Sequence, residues 1–255
     1  ATLAAAGVDV VSLANNHHYD LRAAGVAETP GHVAAAGLRA VGVARRRAPL
    51  EVETVTHGAW RIGVIAATTV RNGAHRPGQP QLPYVEERRL TRALRPVVRR
   101  ARADHDVVLV LVHWGREHAA TPTAAQVKAA RALVDAGADA VIGSHPHVLQ
   151  PIERYRGAII AYSLGDFLFD HTSADRRLAG VLTLGFARGP TPCLASARFT
   201  PTVHVPTPAQ RPALAVGDDG ALVRARVVGL SAAPPFATAW TDDGTGILTT
   251  PGACP

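Results

Sequence analysis

The chain has 255 residues, and it contains no methionine, two cysteines and 5% aromatic residues. Position 1 is alanine, so the chain is expected to begin inside a longer gene product, and the absence of a targeting segment says nothing about the parent. Cys193 and Cys254 fit no metal-ligand spacing; they either pair in an oxidising compartment or stay as thiols. No apolar run approaches the roughly 18 residues that a helical membrane span needs. No RNP, zinc-finger or helix-turn-helix signature is present, so nucleic acid is not an expected partner. No internal repeat is visible.

Acidic residues are the minority charge. A net charge of +7 rests on 27 Lys plus Arg, most of them Arg. The clusters Arg45-Arg46-Arg47, Arg88-Arg89 and Arg99-Arg100 are candidate anion-binding patches. The plainer reading of each is a solvated Arg-rich surface. The length suffices for one large α/β domain with a buried core. The expected organisation is a domain over residues 1–230 followed by an irregular tail over 231–255, where Pro, Ala, Thr and Gly dominate without periodicity.

A strand–helix rhythm runs through the first part. Val8 to Leu13 reads as a buried strand, followed by a helix from Leu21 to about Ala36 that stops near Gly37. Val41 to Val43 reads as a short strand. Glu51–Thr56 and Arg61–Ala67, split by His57-Gly58, read as a hairpin. Ala74–Pro83 reads as a loop. Glu86–Ala103 reads as a helix with Pro96 inside it. Val107–Val112 is a strand, and Thr121-Pro122 is expected to open a helix running to Gly137. After the strand at Val141-Ile142, short strands are expected near 151–155, 158–162, 179–186, 195–200 and 223–228.

Three apolar runs end in polar or turn-forming residues. They are Val107–Val112 before His113-Trp114-Gly115, Val141-Ile142 before Gly143-Ser144-His145-Pro146-His147, and Ile159–Ala161 before Tyr162-Ser163-Leu164-Gly165-Asp166. As neighbouring strands of one sheet, they would bring His113, His145, His147 and Asp166 out along one edge, where open α/β sheets place ligands. His145 and His147, held two apart by a proline, suit one metal ion or two adjacent ions; a solvent-exposed His-Pro-His turn is the plain alternative. Asn15-Asn16-His17 follows a buried strand, and the amide oxygen of an Asn suits a hard or borderline divalent ion. Helix capping would be the ordinary use of such an Asn. Asp20, beside the helix start, already offers that cap, which leaves Asn16 and His17 for another role. His18 and Tyr19 read as surface or pocket wall.

These residues carry a resemblance. Ser12-Leu13-Ala14-Asn15-Asn16-His17-x-x-Asp20, His113-Trp114-Gly115-x-Glu117, Gly137-Ala138-Asp139-x-Val141-Ile142-Gly143-x-His145-Pro146-His147-Val148-Leu149-Gln150-Pro151-Ile152-Glu153 and Tyr162-Ser163-Leu164-Gly165-Asp166-Phe167 resemble the CapA family. This is the poly-γ-glutamate capsule-biosynthesis group of bacteria, and its fold resembles the calcineurin-like metallophosphoesterases. The likeness runs from about Ala1 to Phe199. It implies an α/β, two-sheet sandwich flanked by helices, here lacking the first strand, with a two-metal site at the strand ends.

The resemblance also implies roles. Asn16, His113, His145 and His147 match metal ligands, and His17 matches the catalytic histidine that does not bind metal. Asn15, Asp20, Trp114, Glu117, Ser163 and Asp166 match positions beside the ligands or in the pocket wall. Asp166 departs from the Asn that the family commonly carries there. The family's earlier Gly-Asp strand and Asn-Leu-Glu-type element, which supply acidic ligands, would precede Ala1, so the chain alone is expected to bind metal weakly or to hold a single ion. Mixed His and amide ligation favours Mn, Zn or Fe.

The implied function is metal-dependent hydrolysis in capsule or poly-γ-glutamate biosynthesis, acting on an anionic substrate or polymer that is poly-γ-glutamate-like or a phosphoester. Capsule-synthesis membrane proteins are possible partners, and the parent is expected to be extracytoplasmic or membrane-associated. Two alternatives stay open: a non-catalytic module that binds an acidic polymer for assembly or export, and a metal-assisted isomerase or epimerase.

Overall fold

A computed structural model describes residues 2–43, 50–73, 82–169, 173–205 and 210–249. Arg45, Arg46 and Arg47, most of the loop expected at 74–83, and Cys254 lie outside these residues. Cys193 is disulfide-bonded. No helix among the described residues is long and apolar enough to cross a membrane. The chain divides into two compact units, Ala1–Trp114 with Asp135–Ala138, and Gly115–Val134 with Asp139–Pro255.

The first unit opens with a short helix α1 (Thr2–Ala5). Strand β1 (Val10–Ser12) pairs in parallel with β2 (Arg39–Val41) across helix α2 (Arg22–Ala35). Gly37, at φ +81°, ends that connection in the left-handed conformation that glycine adopts without strain. Strand β3 (Val52–His57) and β4 (Trp60–Thr68) form the expected hairpin. β4 then pairs in parallel with β5 (Val107–His113), with Thr68 opposite His113. A single 3-10 turn over Glu87–Arg89 leads into α3 (Leu90–Asp104), which buries Leu90, Leu94, Val97, Val98 and Ala101 along one face. Pro96 sits inside α3 without ending it.

In the second unit α4 (Ala124–Val134) precedes β6 (Ala140–Ser144). β8 (Ala158–Ala161) lies between parallel β6 and antiparallel β7 (Ile152–Tyr155). A second sheet is organised by one long strand. β10 (Cys193–Val205) pairs with β9 (Leu178–Ala187), β11 (Arg211–Leu214) and β13 (Ile247–Thr249), and β13 also pairs with β12 (Thr241–Asp242). Helix α5 (Gly217–Ala232) belongs to the same unit. The core of this unit joins Leu149, Ile152, Ile159, Phe199, Val223, Val227, Trp240 and Ile247.

Four expectations are corrected. α4 is not opened by Thr121-Pro122. Thr123 Oγ1 accepts from the Gln126 N–H at 3.2 Å while Gln126 Oε1 accepts from the Thr123 N–H at 2.9 Å, a reciprocal capping box two residues later. The strand expected at 223–228 is part of helix α5. The Val-Arg-Ala-Arg-Val alternation resembles a strand, but the buried positions Gly220, Val223 and Val227 follow helical spacing, and Asp218 and Asp219 suit the first turn. The strand expected to stop at Thr200 runs through Pro201, whose carbonyl still accepts from the Ala215 N–H at 3.1 Å. Residues 231–249, expected as irregular tail, contain β12 and β13 and bury Phe236, Trp240 and Ile247. Trp240 and Ile247 join the core of the second unit, and Phe236 lies against the Tyr162 ring at 5.4 Å between centroids.

Glu153, on β7, is only 1% exposed. It accepts from Arg131 Nε and Nη2 at 2.9 and 2.5 Å and from the Tyr162 hydroxyl at 2.7 Å. Arg131 Nη2 also donates to the Pro235 carbonyl at 2.8 Å. Burial, and then the bond to Glu153, push the Tyr162 phenol well above its ordinary pKa. The unfolded phenol ionises near pH 10, whereas the folded one keeps its proton. The raised folded pKa therefore contributes stability that is complete below about pH 10 and is lost above it, by up to about 1.4 kcal/mol per pH unit. Urea midpoints measured between pH 8 and 11 are expected to fall more steeply for the wild type than for Tyr162→Phe. Equal slopes would show that the phenol ionises alike in both states.

Candidate functional site

In the first unit, the sequence-expected residues gather at the carboxyl ends of the strands. The turn after β1 is set by Asn15, whose Oδ1 accepts from the His17 N–H at 2.8 Å. The amide oxygen of Asn15 is thus spent on the backbone. Asn16, buried at 9% exposure, meets a residue 97 positions away: its Oδ1 lies 3.0 Å from His113 Nε2. Its Nδ2 donates to Asn72 Oδ1 at 3.1 Å. A hydrogen bond between Asn16 Oδ1 and His113 Nε2 places two potential ligand atoms side by side.

His17 stands at the rim of the same network. Its Nδ1 bonds Asp20 Oδ2 at 2.6 Å, with side chains 63% and 50% exposed. Asp20 is therefore not the helix cap it was expected to be. α2 starts at Arg22, its N-cap position is Leu21 without a side-chain cap, and Asp20 sits one residue too early. It orients the imidazole instead: with the Nδ1 proton directed at the carboxylate, Nε2 is the nitrogen left to give or take a proton. His18 bonds the Leu13 carbonyl through Nδ1, and burial lowers its pKa, which favours the neutral ring. A cavity of about 160 Å³ lined by Leu13, Asn15, His17, His18 and Val26 opens beside His17. Trp114 is fully buried and contributes packing.

The second unit holds the His-Pro-His turn. His145 and His147 adopt φ of +98° and +58°. Left-handed backbone at two non-glycine residues two apart costs of order 1–3 kcal/mol each and recurs at ligand sites. The His118 N–H donates to the Pro146 carbonyl at 2.8 Å, which lays the loop after Gly115 against this turn. That contact brings Glu117 to the histidines. One ligand atom each from Glu117, His145 and His147 lies within 4.8 Å of the others. Both oxygens of Asp166 lie 2.9–3.0 Å from His147 Nδ1. Nδ1–H donates to the carboxylate, so Nε2 faces the ligand position, the usual carboxylate–histidine support of a metal site. His118 and Phe169 flank the His147 ring at 6.2 and 5.1 Å between centroids. Ser163 is buried; its carbonyl accepts from the Gln150 N–H at 3.1 Å and its Oγ from the Gly165 N–H at 3.4 Å.

Two imidazoles and a carboxylate converging on one point suit Zn, Mn or Fe(II). Glu117 was expected beside the site rather than among its ligands. Nothing in its spacing from His113 indicates otherwise, because its position depends on the bond between His118 and Pro146. Asn72 was not singled out at all. Its one sequence signal is the Asn72-Gly73 turn dipeptide a few residues past a strand.

Comparisons with known proteins agree with this architecture. The model of the family described as bacterial capsule synthesis protein PGA_cap matches residues 1–171. The PGA biosynthesis protein CapA of Bacillus subtilis is 36% identical over 168 residues, covering 63% of this chain and 42% of that protein. The capsule biosynthesis protein CapA of Bacillus anthracis is 35% identical over 175 residues, covering 65% and 41%. The chain thus spans about two fifths of the length of these curated relatives. A crystal structure of a putative 5'-nucleotidase from Staphylococcus aureus, in complex with alpha-ketoglutarate, shares the fold with a TM-score of 0.51 at 14% identity, over 88% of this chain and 45% of that one. The fold is accordingly the mixed α/β, metallophosphoesterase-like class, and the chain belongs to the bacterial capsule synthesis PGA_cap family.

Proposed function

We propose that this chain carries a metal-dependent hydrolase site of a capsule or poly-γ-glutamate biosynthesis protein. The observation that carries the reading is the convergence of Glu117, His145 and His147 within 4.8 Å, with His147 held by Asp166. A divalent Mn, Zn or Fe bound there would lower the pKa of a water molecule and neutralise an anionic oxygen of the substrate. The chain's own contribution is positional. Asp166 fixes the tautomer of His147, and the strained turn presents both imidazoles without further rearrangement. In the first unit, His17 directs Nδ1 at Asp20, which leaves Nε2 as the nitrogen that could exchange a proton with a substrate. Within the first unit, Asn16 and His113, joined by a hydrogen bond, are candidate metal ligands in their own right. The substrate is proposed to be an anionic polymer or phosphoester, in keeping with the names of the relatives, and the partners to be components of a polymer-synthesis system.

The test is elemental analysis of the purified chain after dialysis, followed by hydrolysis of a generic phosphodiester, bis-p-nitrophenyl phosphate. The wild type is expected to retain close to one transition-metal ion, and Glu117→Gln with His145→Asn to retain none while melting as a folded protein. A wild type free of metal even after loading with Zn or Mn would refute the reading.

A second reading has one observation in its favour. A probable polyglutamine synthesis accessory protein of Mycobacterium tuberculosis is 32% identical over 176 residues. In an accessory role the chain would bind a polymer without cleaving it. Metal loading with no turnover of any phosphoester or amide polymer would favour this alternative.

A further inference from the structure

The arginines of α3 and its approach are not used by the proposed chemistry, and they border a groove. This groove, about 680 Å³, lies in the first unit and is lined by Tyr84, Glu86, Arg89 and Arg92 among others. Tyr84 stands beside the carboxyl end of β4, where it forms a parallel bridge with Thr68, and Thr68 N–H donates to the Pro83 carbonyl at 2.8 Å. The Arg71 guanidinium stacks over the Tyr84 ring at 4.4 Å from its centroid. The next residue, Asn72, is the one bonded to Asn16. The groove therefore adjoins the strand-end network of this unit.

The charge balance within the groove decides what it can hold. Glu86 is the one acid of the lining, and it is engaged by Arg88 at 2.9 Å and by Arg89 at 3.3 Å. The guanidiniums beside it pull its carboxyl below the usual carboxylate range. Arg92 follows Arg89 by three residues, so the two share a helix face. Arg92 is in none of the ion pairs seen among the described residues, while Arg71 lies over the Tyr84 ring and its charge also acts on Glu86. Two lining guanidiniums, Arg89 and Arg92, with Arg71 beside them on the Tyr84 ring, outweigh the one already shared carboxylate and leave a positive surplus at the groove. Stacking on Tyr84 fixes the plane of Arg71 and leaves its N–H edge available, the arrangement in which arginine recognises oxyanions by paired hydrogen bonds.

We propose that this groove is an oxyanion-binding site, formed by Arg71, Arg89 and Arg92 around Tyr84, for a ligand bearing carboxylate or phosphate groups. The site does not depend on the metal reading, because all its residues lie in the first unit and none is among Glu117, His145 and His147. It goes beyond that reading in giving the Arg88-Arg89 cluster a specific outcome: both arginines pair with Glu86, and Arg89 also lines the groove beside Arg92.

Calorimetric titration of the EDTA-treated chain with pentaglutamate and with tripolyphosphate tests the proposal. The wild type is expected to bind at low salt and more weakly at high salt. Arg71→Ala/Arg92→Ala is expected to weaken binding by about tenfold or more, as loss of charge-assisted hydrogen bonds does. Arg99→Ala/Arg100→Ala, which removes the same charge from exposed positions further along α3, is expected to change it less than about twofold, within what screened charges exert at a distance. Tighter binding of pentaglutamate assigns the groove to a polycarboxylate, and tighter binding of tripolyphosphate to a phosphate; either supports the site. No binding of either probe, or equal weakening in the two double variants, would overturn it.

Discussion

Asparagine in place of His147 is expected to lower metal affinity by more than 100-fold, beyond the roughly 10–100-fold that loss of an outer hydrogen-bond partner causes. Asparagine is the informative choice because His147 sits at φ +58°, where alanine would add backbone strain unrelated to metal. Asparagine tolerates that conformation better than other non-glycine residues. Asp166 supplies the graded control. Asp166→Asn keeps an acceptor for Nδ1–H and loses only the charge, so affinity should fall by about tenfold, while Asp166→Ala leaves the ring unoriented and should approach 100-fold. Competition against a chelator of known affinity ranks the three variants. The order wild type, Asp166→Asn, Asp166→Ala, His147→Asn is the expected one. An unchanged affinity in His147→Asn would remove His147 from the ligand set.

The largest effect on stability is expected at Glu153. Removing one partner of a buried ion pair costs about 3–5 kcal/mol when both charges are enclosed. Arg131 keeps 28% of its side chain exposed, so part of its charge would be rehydrated. Glu153→Ala should therefore cost about 2–4 kcal/mol, which combines the unpaired guanidinium with an unpaired Tyr162 hydroxyl. Glu153→Gln, which can still accept from Tyr162, should cost less. Chemical denaturation with unchanged m-values checks both. A change below about 1 kcal/mol in the alanine variant would mean that Arg131 finds water as readily as it finds Glu153. The glutamate at the end of the motif Gln150-Pro151-Ile152-Glu153 thus fastens β7 to α4 and to the segment at Pro235, which explains its place in the pattern without a catalytic role.

The legible parts of this chain are those that depend on neighbours in sequence. The hairpin of β3 and β4, the strands ending at His113 and Ser144, and the helix that stops just before Gly37 follow from apolar period and turn residues within a few positions. The misread parts fail for local reasons too. Val223 and Val227 fit both a strand and a helix, and only the face they bury decides between them. Asp20 looks like a cap on sequence, yet a displacement of one residue in the helix start turns it toward His17.

The sequence by itself determined the family and the residue types of the site, because ordered motifs such as Asn16-His17 and His145-Pro146-His147 are contiguous strings. Tertiary structure alone decided which atoms meet. The bond between Asn16 and His113 spans 97 positions, and the approach of Glu117 to His145 and His147 depends on one backbone bond between His118 and Pro146. The stacking of Arg71 on Tyr84 likewise depends on the chain returning to the end of β4. Such contacts are set by how strands and loops pack, and the spacing of the residues along the chain does not encode that packing.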